Sequence, residues 1–75
     1  MDAIVYTTRG CQACTLTIKA LKDRGVTVQA VPLEESNPAQ ELVREMGYTQ
    51  APVVLTGDRS WSGFRPEAIK AAGQR

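Results

Sequence analysis

The chain has 75 residues, with nine basic and eight acidic side chains and 43% apolar residues. This length predicts one small domain over residues 1–75, and the balanced charge, with no basic block or acidic tail, argues against nucleic-acid binding. There is no apolar run of about 18 residues and no signal-peptide pattern at the first residues, so we expect no membrane span and a cytoplasmic location.

The first third of the chain has the pattern of a strand, a helix and a second strand. Ala3 to Thr7 is an apolar, β-branched run typical of a buried strand. The next segment is predicted to be helical to about Lys22 and to end at Gly25. Its apolar residues recur at the i, i+4, i+7 spacing of one helix face: Cys14, Ile18 and Leu21. Val26 to Val31 predicts the second strand, and so short a βαβ unit has parallel strands with a right-handed crossover.

A second amphipathic helix is predicted after a polar connection at residues 33–36. Asn37 is predicted to cap this helix, with Pro38 at its first position and Gln40 reaching back to the cap. Gly47 is predicted to end it. The apolar residues again follow one helix face: Ala39, Leu42, Val43 and Met46.

The last third of the chain predicts a hairpin and a short helix. Pro52 opens a third strand, Val53 to Leu55, because proline is tolerated at the first residue of a strand. Gly57-Asp58 suits a two-residue turn in which glycine supplies the positive φ, and Arg59 to Ser62 is the fourth strand. A helix follows over residues 66–72. We therefore predict an α/β fold of order βαβαββα, with a four-stranded mixed sheet flanked by three helices.

The only two cysteines, Cys11 and Cys14, lie one helical turn apart where the first helix begins. A helix N-terminus favours negative charge, and such sites lower a cysteine pKa from about 8.5 to between about 3.5 and about 7.5. Arg9 adds positive charge nearby. We expect Cys11 to be the exposed nucleophile and Cys14, on the apolar face, to be the buried resolving thiol. A Cys-x-x-Cys motif in a βαβ unit indicates a thioredoxin-like redox site.

Three other interpretations of the cysteines remain open. A structural zinc site needs four ligands, and the chain has no histidine and no further cysteine, so two chains would have to share the metal. A purely structural disulfide would add little stability, because it closes a very short loop. The two thiols are also compatible with simple core packing. We predict no bound metal and no cofactor.

Several segments resemble a known family. Val5-Tyr6-Thr7 leading into the Cys-x-x-Cys motif, with Ala51-Pro52-Val53 further on, resembles a glutaredoxin-type member of the thioredoxin superfamily. Residues 47–54 (Gly-Tyr-Thr-Gln-Ala-Pro-Val-Val) and 61–66 (Trp-Ser-Gly-Phe-Arg-Pro) are similar to the NrdH-redoxin family. The second of these stretches is the more specific.

The resemblance implies a monomeric dithiol–disulfide oxidoreductase that takes electrons from thioredoxin reductase. Its acceptor would be the large subunit of a class Ib ribonucleotide reductase. The resemblance also implies a cis peptide bond at Pro52 and pairing of the Ala51 backbone with an extended partner segment. A glutathione-dependent glutaredoxin is the alternative, and a non-enzymatic module that shares a metal between two chains is a third possibility.

Candidate partner-binding residues lie around the cysteines, before the third strand and before the last helix: Arg9, Gln12, Ala13, Gln50, Ala51, Pro52 and Arg65. Gln12-Ala13 stands where the family usually has Val or Met followed by Gln, and Arg9-Gly10 stands where Lys-Pro is usual. An alternative role for Arg65 is to brace the last helix or the Trp61 loop by hydrogen bonds.

Overall fold

The computed structural model describes residues 2–57 and 59–72, which form four strands and three α-helices. In chain order they are β1 (Asp2–Thr7), α1 (Gln12–Asp23), β2 (Thr27–Pro32), α2 (Asn37–Glu45), β3 (Val53–Leu55), β4 (Ser60–Ser62) and α3 (Pro66–Ala72), with a 3-10 helix at Leu33–Glu35. The predicted βαβαββα order is confirmed. Among these described helices, none is both long enough and apolar enough to cross a membrane.

The four strands form one mixed sheet in the order β2-β1-β3-β4. β1 pairs in parallel with β2 and antiparallel with β3, and β4 pairs antiparallel with β3. The parallel β1–β2 pair confirms the βαβ unit. Because β1 lies inside the sheet and is covered on both faces, its sequence is a nearly continuous apolar run instead of an alternating one.

Two hydrophobic clusters fill the two faces of the sheet. Alternate residues of β1 point to opposite faces, so Val5 enters one cluster and Tyr6 the other. The first cluster packs α1 and α3 on one face: Ala3, Val5, Leu21, Val26, Val54, Trp61, Ile69 and Ala72. The second packs α2 on the other face: Tyr6, Ala39, Val43 and Val53.

The start of α2 differs from the prediction. Ser36, not Asn37, is the N-cap, and its Oγ accepts a hydrogen bond from the Ala39 backbone N–H at 3.2 Å. Gln40 donates from Nε2 to the Leu33 carbonyl at 2.6 Å instead of reaching the cap. The 3-10 helix within the predicted polar connection leaves Ser36 extended (φ −147°, ψ 104°), which is the backbone conformation of an N-cap.

Two strand boundaries also differ from the prediction. β2 begins at Thr27, one residue later than predicted, and Pro32 is its last residue, opposite Thr7 of β1. A proline is accommodated there because β2 is an edge strand. In the β3–β4 hairpin, the Thr56 N–H donates to the Arg59 carbonyl at 2.9 Å, and β4 begins one residue later than expected. Gly57 does not have the predicted left-handed φ, and its predicted turn partner, Asp58, lies outside the described residues.

Candidate active site

β1 and α1 position the two cysteines at one edge of the sheet. β1 ends at Thr7, and the loop that follows turns at Gly10, whose φ of 72° lies in the left-handed region that glycine adopts most easily. Cys11 is the N-cap of α1, with an extended backbone (φ −90°, ψ 102°). The central strand and the helix N-terminus therefore converge on Cys11.

The two cysteines form a disulfide, with their Cα atoms 5.3 Å apart. Cys11 is half-buried, whereas Cys14 is only 3% exposed and lies on the inner face of α1. The structure thus gives Cys11 the greater access to a partner, as its place at the helix start led us to expect. The assignment of nucleophile and resolving thiol remains a prediction.

The Cys11 sulfur is held by the first turn of α1. Its Sγ accepts a hydrogen bond from the Cys14 backbone N–H at 3.0 Å, in the manner of a capping side chain. After reduction, the same N–H and the positive end of the helix dipole would face a Cys11 thiolate. The site is therefore arranged to favour the charged, nucleophilic form of this cysteine.

The Glu34 carboxylate, which no sequence pattern pointed to, accepts a hydrogen bond from the loop before Cys11. The Arg9 backbone N–H donates to Glu34 Oε2. Hydrogen bonds from its own backbone N–H, and then from that of Arg9, hold the pKa of Glu34 below its usual range. The contact joins residues 25 apart and forms because the ends of β1 and β2 lie side by side, Thr7 opposite Pro32. The Glu34 charge also offsets part of the positive charge expected from Arg9.

The Ala51–Pro52 peptide bond is cis, as the family resemblance implied. Tyr6 pairs with Val53 in the antiparallel register, so continuing that register places Pro52 opposite Thr7, at the strand end that leads to the cysteines. The Pro52 side chain is buried, and its carbonyl accepts a hydrogen bond from the Gly63 N–H at 2.8 Å. The predicted Pro52 segment and the dithiol loop thus lie at the same edge of the sheet.

The β4–α3 loop is tied to the segment before Pro52. Ser62 Oγ donates to the Gln50 carbonyl at 2.6 Å, and Arg65 Nε donates to the Ser62 carbonyl at 3.2 Å. Arg65 therefore braces this loop, which was its alternative role, while its contact with a partner remains a prediction. Trp61 is buried in the core, whereas Phe64 is 42% exposed.

Two clefts meet at Thr8, beside the disulfide. One, of about 570 Å³, is lined by Cys11, Gln12 and Cys14. The other, of about 370 Å³, is lined by Gln50 and Ala51 together with residues of α2 and of the loop that follows it. Thr8 lines both clefts, and no sequence pattern pointed to this residue. The other four predicted partner residues line neither cleft: Arg9, Ala13, Pro52 and Arg65.

The described residues offer no ready-made metal site. Within residues 2–57 and 59–72 there is no group of three or more His, Cys, Asp or Glu side chains placed to hold a metal ion. A metal on the two cysteines would therefore need ligands from elsewhere.

The chain is similar to several known proteins. The glutaredoxin family model matches residues 3–61. The glutaredoxin-like protein NrdH of Escherichia coli (strain K12) is 39% identical over 69 residues, which cover 92% of this chain and 85% of that protein. NrdH of Lactococcus lactis (strain MG1363) is 32% identical over 65 residues, covering 87% of this chain and 90% of that protein. The solved structure of the E. coli NrdH-redoxin has a TM-score of 0.89 at 38% identity, covering 95% of this chain and 93% of that one.

Proposed function

Because this chain belongs to the glutaredoxin family, and within it to the NrdH-type glutaredoxin-like redoxins, we propose that it carries electrons from thioredoxin reductase to a ribonucleotide reductase. The chain is a thiol–disulfide oxidoreductase. We propose that it works as a cytoplasmic monomer and that the acceptor is the large subunit of a class Ib enzyme. The observation that carries the proposal is the half-buried Cys11 sulfur at the N-terminus of α1, next to a buried Cys14.

In the first step the reduced protein attacks a partner disulfide. The Cys11 thiolate forms a bond to one partner sulfur, the partner S–S bond breaks, and the other partner sulfur leaves as a thiolate that takes up a proton. The Cys14 N–H and the helix dipole lower the free energy of the attacking thiolate, so a useful fraction is ionised at neutral pH.

In the second step Cys14 resolves the mixed disulfide. Its thiolate attacks Cys11 Sγ, the bond between Cys11 and the partner breaks, and the second partner thiolate leaves and is protonated. The partner has then gained two electrons and two protons, and this chain has lost them as the Cys11–Cys14 disulfide. Thioredoxin reductase, drawing on NADPH, would return the pair to the dithiol.

A partner would approach from the surface where the two clefts meet. Arg9 and Gln12 are exposed on either side of Cys11, and Gln50 and Ala51 line the second cleft. We propose that an extended partner segment pairs with the backbone at Ala51, as in β-augmentation. The proposed surface also includes Ala13, which lies beside the dithiol. Pro52 and Arg65 contribute to it by holding the backbone of their own segments in position.

The choice of electron donor rests on the relatives. The E. coli NrdH-redoxin, which is 38% identical in sequence, is a glutaredoxin-like protein with a thioredoxin-like activity profile. We propose that this chain shares that activity profile and takes its electrons from thioredoxin reductase. The test is NADPH consumption with purified thioredoxin reductase, first with a small disulfide and then with a class Ib ribonucleotide reductase as acceptor. Turnover only with glutathione and glutathione reductase would assign the chain to the glutathione-dependent class instead.

Covalent trapping tests the roles of the two sulfurs. Cys14→Ser should accumulate a mixed disulfide between Cys11 and the acceptor, visible on a non-reducing gel and abolished by dithiothreitol. Cys11→Ser is the matched control and should trap little, because the remaining thiol is buried. Equal trapping by both variants would contradict the assigned roles.

A further inference from the structure

A hydroxyl group in α1 is buried without a hydrogen-bond partner. Thr17 is 0% exposed, and its Oγ1 makes no hydrogen bond within the described part of the chain. A helical threonine can satisfy its hydroxyl with the carbonyl three or four residues earlier, but Thr17 does not. Buried polar groups without partners are uncommon because they lose their hydration without compensation.

Thr17 lies one helical turn after the buried resolving cysteine. Both residues are buried on the inner face of α1, three positions apart. Side chains at this spacing are neighbours, and side chains in a helix tilt toward its N-terminus, so that of Thr17 leans toward Cys14. In the oxidised protein the Cys14 sulfur is bonded to Cys11 and carries no charge. It is then a poor hydrogen-bond acceptor.

Reduction changes the hydrogen-bonding needs of Cys14. Two electrons and two protons convert the disulfide into two thiols, and Cys14 must lose its proton again before it can attack Cys11 in the second step. A thiolate at a position that is only 3% exposed receives little solvation from water. A Cys14 thiolate therefore needs a hydrogen-bond donor from within the protein. The Thr17 hydroxyl, one turn further along the same face of α1, makes no other hydrogen bond among the described residues.

We propose that Thr17 Oγ1 donates a hydrogen bond to the Cys14 sulfur when the disulfide opens, and that Thr17 is a positioning residue for the resolving step. The hydroxyl has no partner in the oxidised protein and gains one in the reduced protein. It therefore stabilises the dithiol relative to the disulfide and lowers the barrier to Cys14 ionisation. The inference depends only on exchange by Cys11 and Cys14, not on the identity of either protein partner.

Thr17→Val tests the proposal, because it removes the hydroxyl and keeps the side-chain shape. The dithiol–disulfide equilibrium should shift about fivefold to tenfold toward the disulfide, and a tenfold shift is about 30 mV in reduction potential. Thr17→Ser keeps the hydroxyl and should retain the wild-type potential. Thr27→Val removes an exposed threonine hydroxyl at the start of β2 and should also leave the potential unchanged.

The measurement is equilibration with defined ratios of reduced and oxidised dithiothreitol, followed by thiol alkylation and mass spectrometry. If Thr17→Val folds poorly, Thr17→Ala serves instead. Its lost volume is the same in both redox states and cancels in the potential. A single-turnover assay of the Cys11 mixed disulfide with a small aromatic thiol should show slower resolution in Thr17→Val and a normal rate in Thr17→Ser.

Two results would overturn the inference. One is a wild-type potential in both Thr17→Val and Thr17→Ala. The other is an equal shift in Thr17→Val and Thr17→Ser, because Thr17→Ser keeps the hydroxyl and its shift could not come from the loss of that group.

Discussion

Replacing Gly10 with alanine tests whether the backbone just before Cys11 must be left-handed. Gly10 has φ 72°, and a methyl group added to its α-carbon would meet no atom within 4 Å. The cost is therefore conformational and not steric crowding, and it amounts to about 1–2 kcal/mol for a left-handed residue with a side chain. Gly25→Ala should lower the stability by about the same amount, because Gly25 has φ 81° and equally open surroundings. Gly57→Ala should not lower the stability, because the φ of Gly57 is not left-handed.

Urea unfolding of the oxidised Gly10→Ala, Gly25→Ala and Gly57→Ala variants measures these losses of stability. The rate at which each variant reduces a partner disulfide then distinguishes the effect at Gly10 from the effect at Gly25. Gly10→Ala should lower kcat/KM as well as stability, because it perturbs the residue that aims Cys11 at the start of α1. Gly25→Ala, at the far end of that helix, should lower stability alone. The reasoning is refuted if Gly10→Ala is as stable as Gly57→Ala, or if Gly25→Ala slows catalysis as much as Gly10→Ala does.

Three further predictions concern the framework around the site. Ser36→Ala should cost about 1 kcal/mol in thermal or urea unfolding, because it removes the cap of α2, whereas Asn37→Ala should cost far less; the reverse order would contradict the observed cap. Glu34 has a lowered pKa, so its stabilising effect exists above the usual carboxyl pKa and is lost as pH falls through the lower folded value. The difference in unfolding free energy between wild type and Glu34→Gln should therefore shrink on acidification, and a constant difference would refute this. Leu21→Ala should cost about 2–5 kcal/mol, since Leu21 is 0% exposed, while Leu16→Ala, at a site 52% exposed, should change little; similar losses would contradict the packing.

Local patterns were sufficient to predict most of the fold. The spacing of Cys14, Ile18 and Leu21 indicates a helix because side chains at those intervals share one face, and the structure buries Cys14 and Leu21 on that face. Gly25 ends the helix region with the left-handed φ that its position predicts. Each of these features depends on residues that are close together in the sequence, so it can be predicted from the sequence alone.

Features that depend on contacts between distant segments could not be predicted. Arg9 and Glu34 meet only because β1 and β2 align in parallel, and no pattern in the sequence links them. Thr8 lines both clefts because two loops converge beside it. The cap at Ser36 is a local feature that was missed for a different reason: it depends on the 3-10 helix directly before it, which the polar sequence of that connection did not indicate.

The central claim concerns which sulfur reacts first, and alkylation of the fully reduced protein tests it most directly. Iodoacetamide labelling followed by peptide mass spectrometry over a range of pH gives a separate rate for Cys11 and for Cys14. The account predicts that Cys11 is labelled first at pH 7 and titrates well below the free-cysteine pKa of about 8.5, with Cys14 labelled slowly. Equal labelling of both cysteines, or a Cys11 titration at or above that pKa, would contradict it.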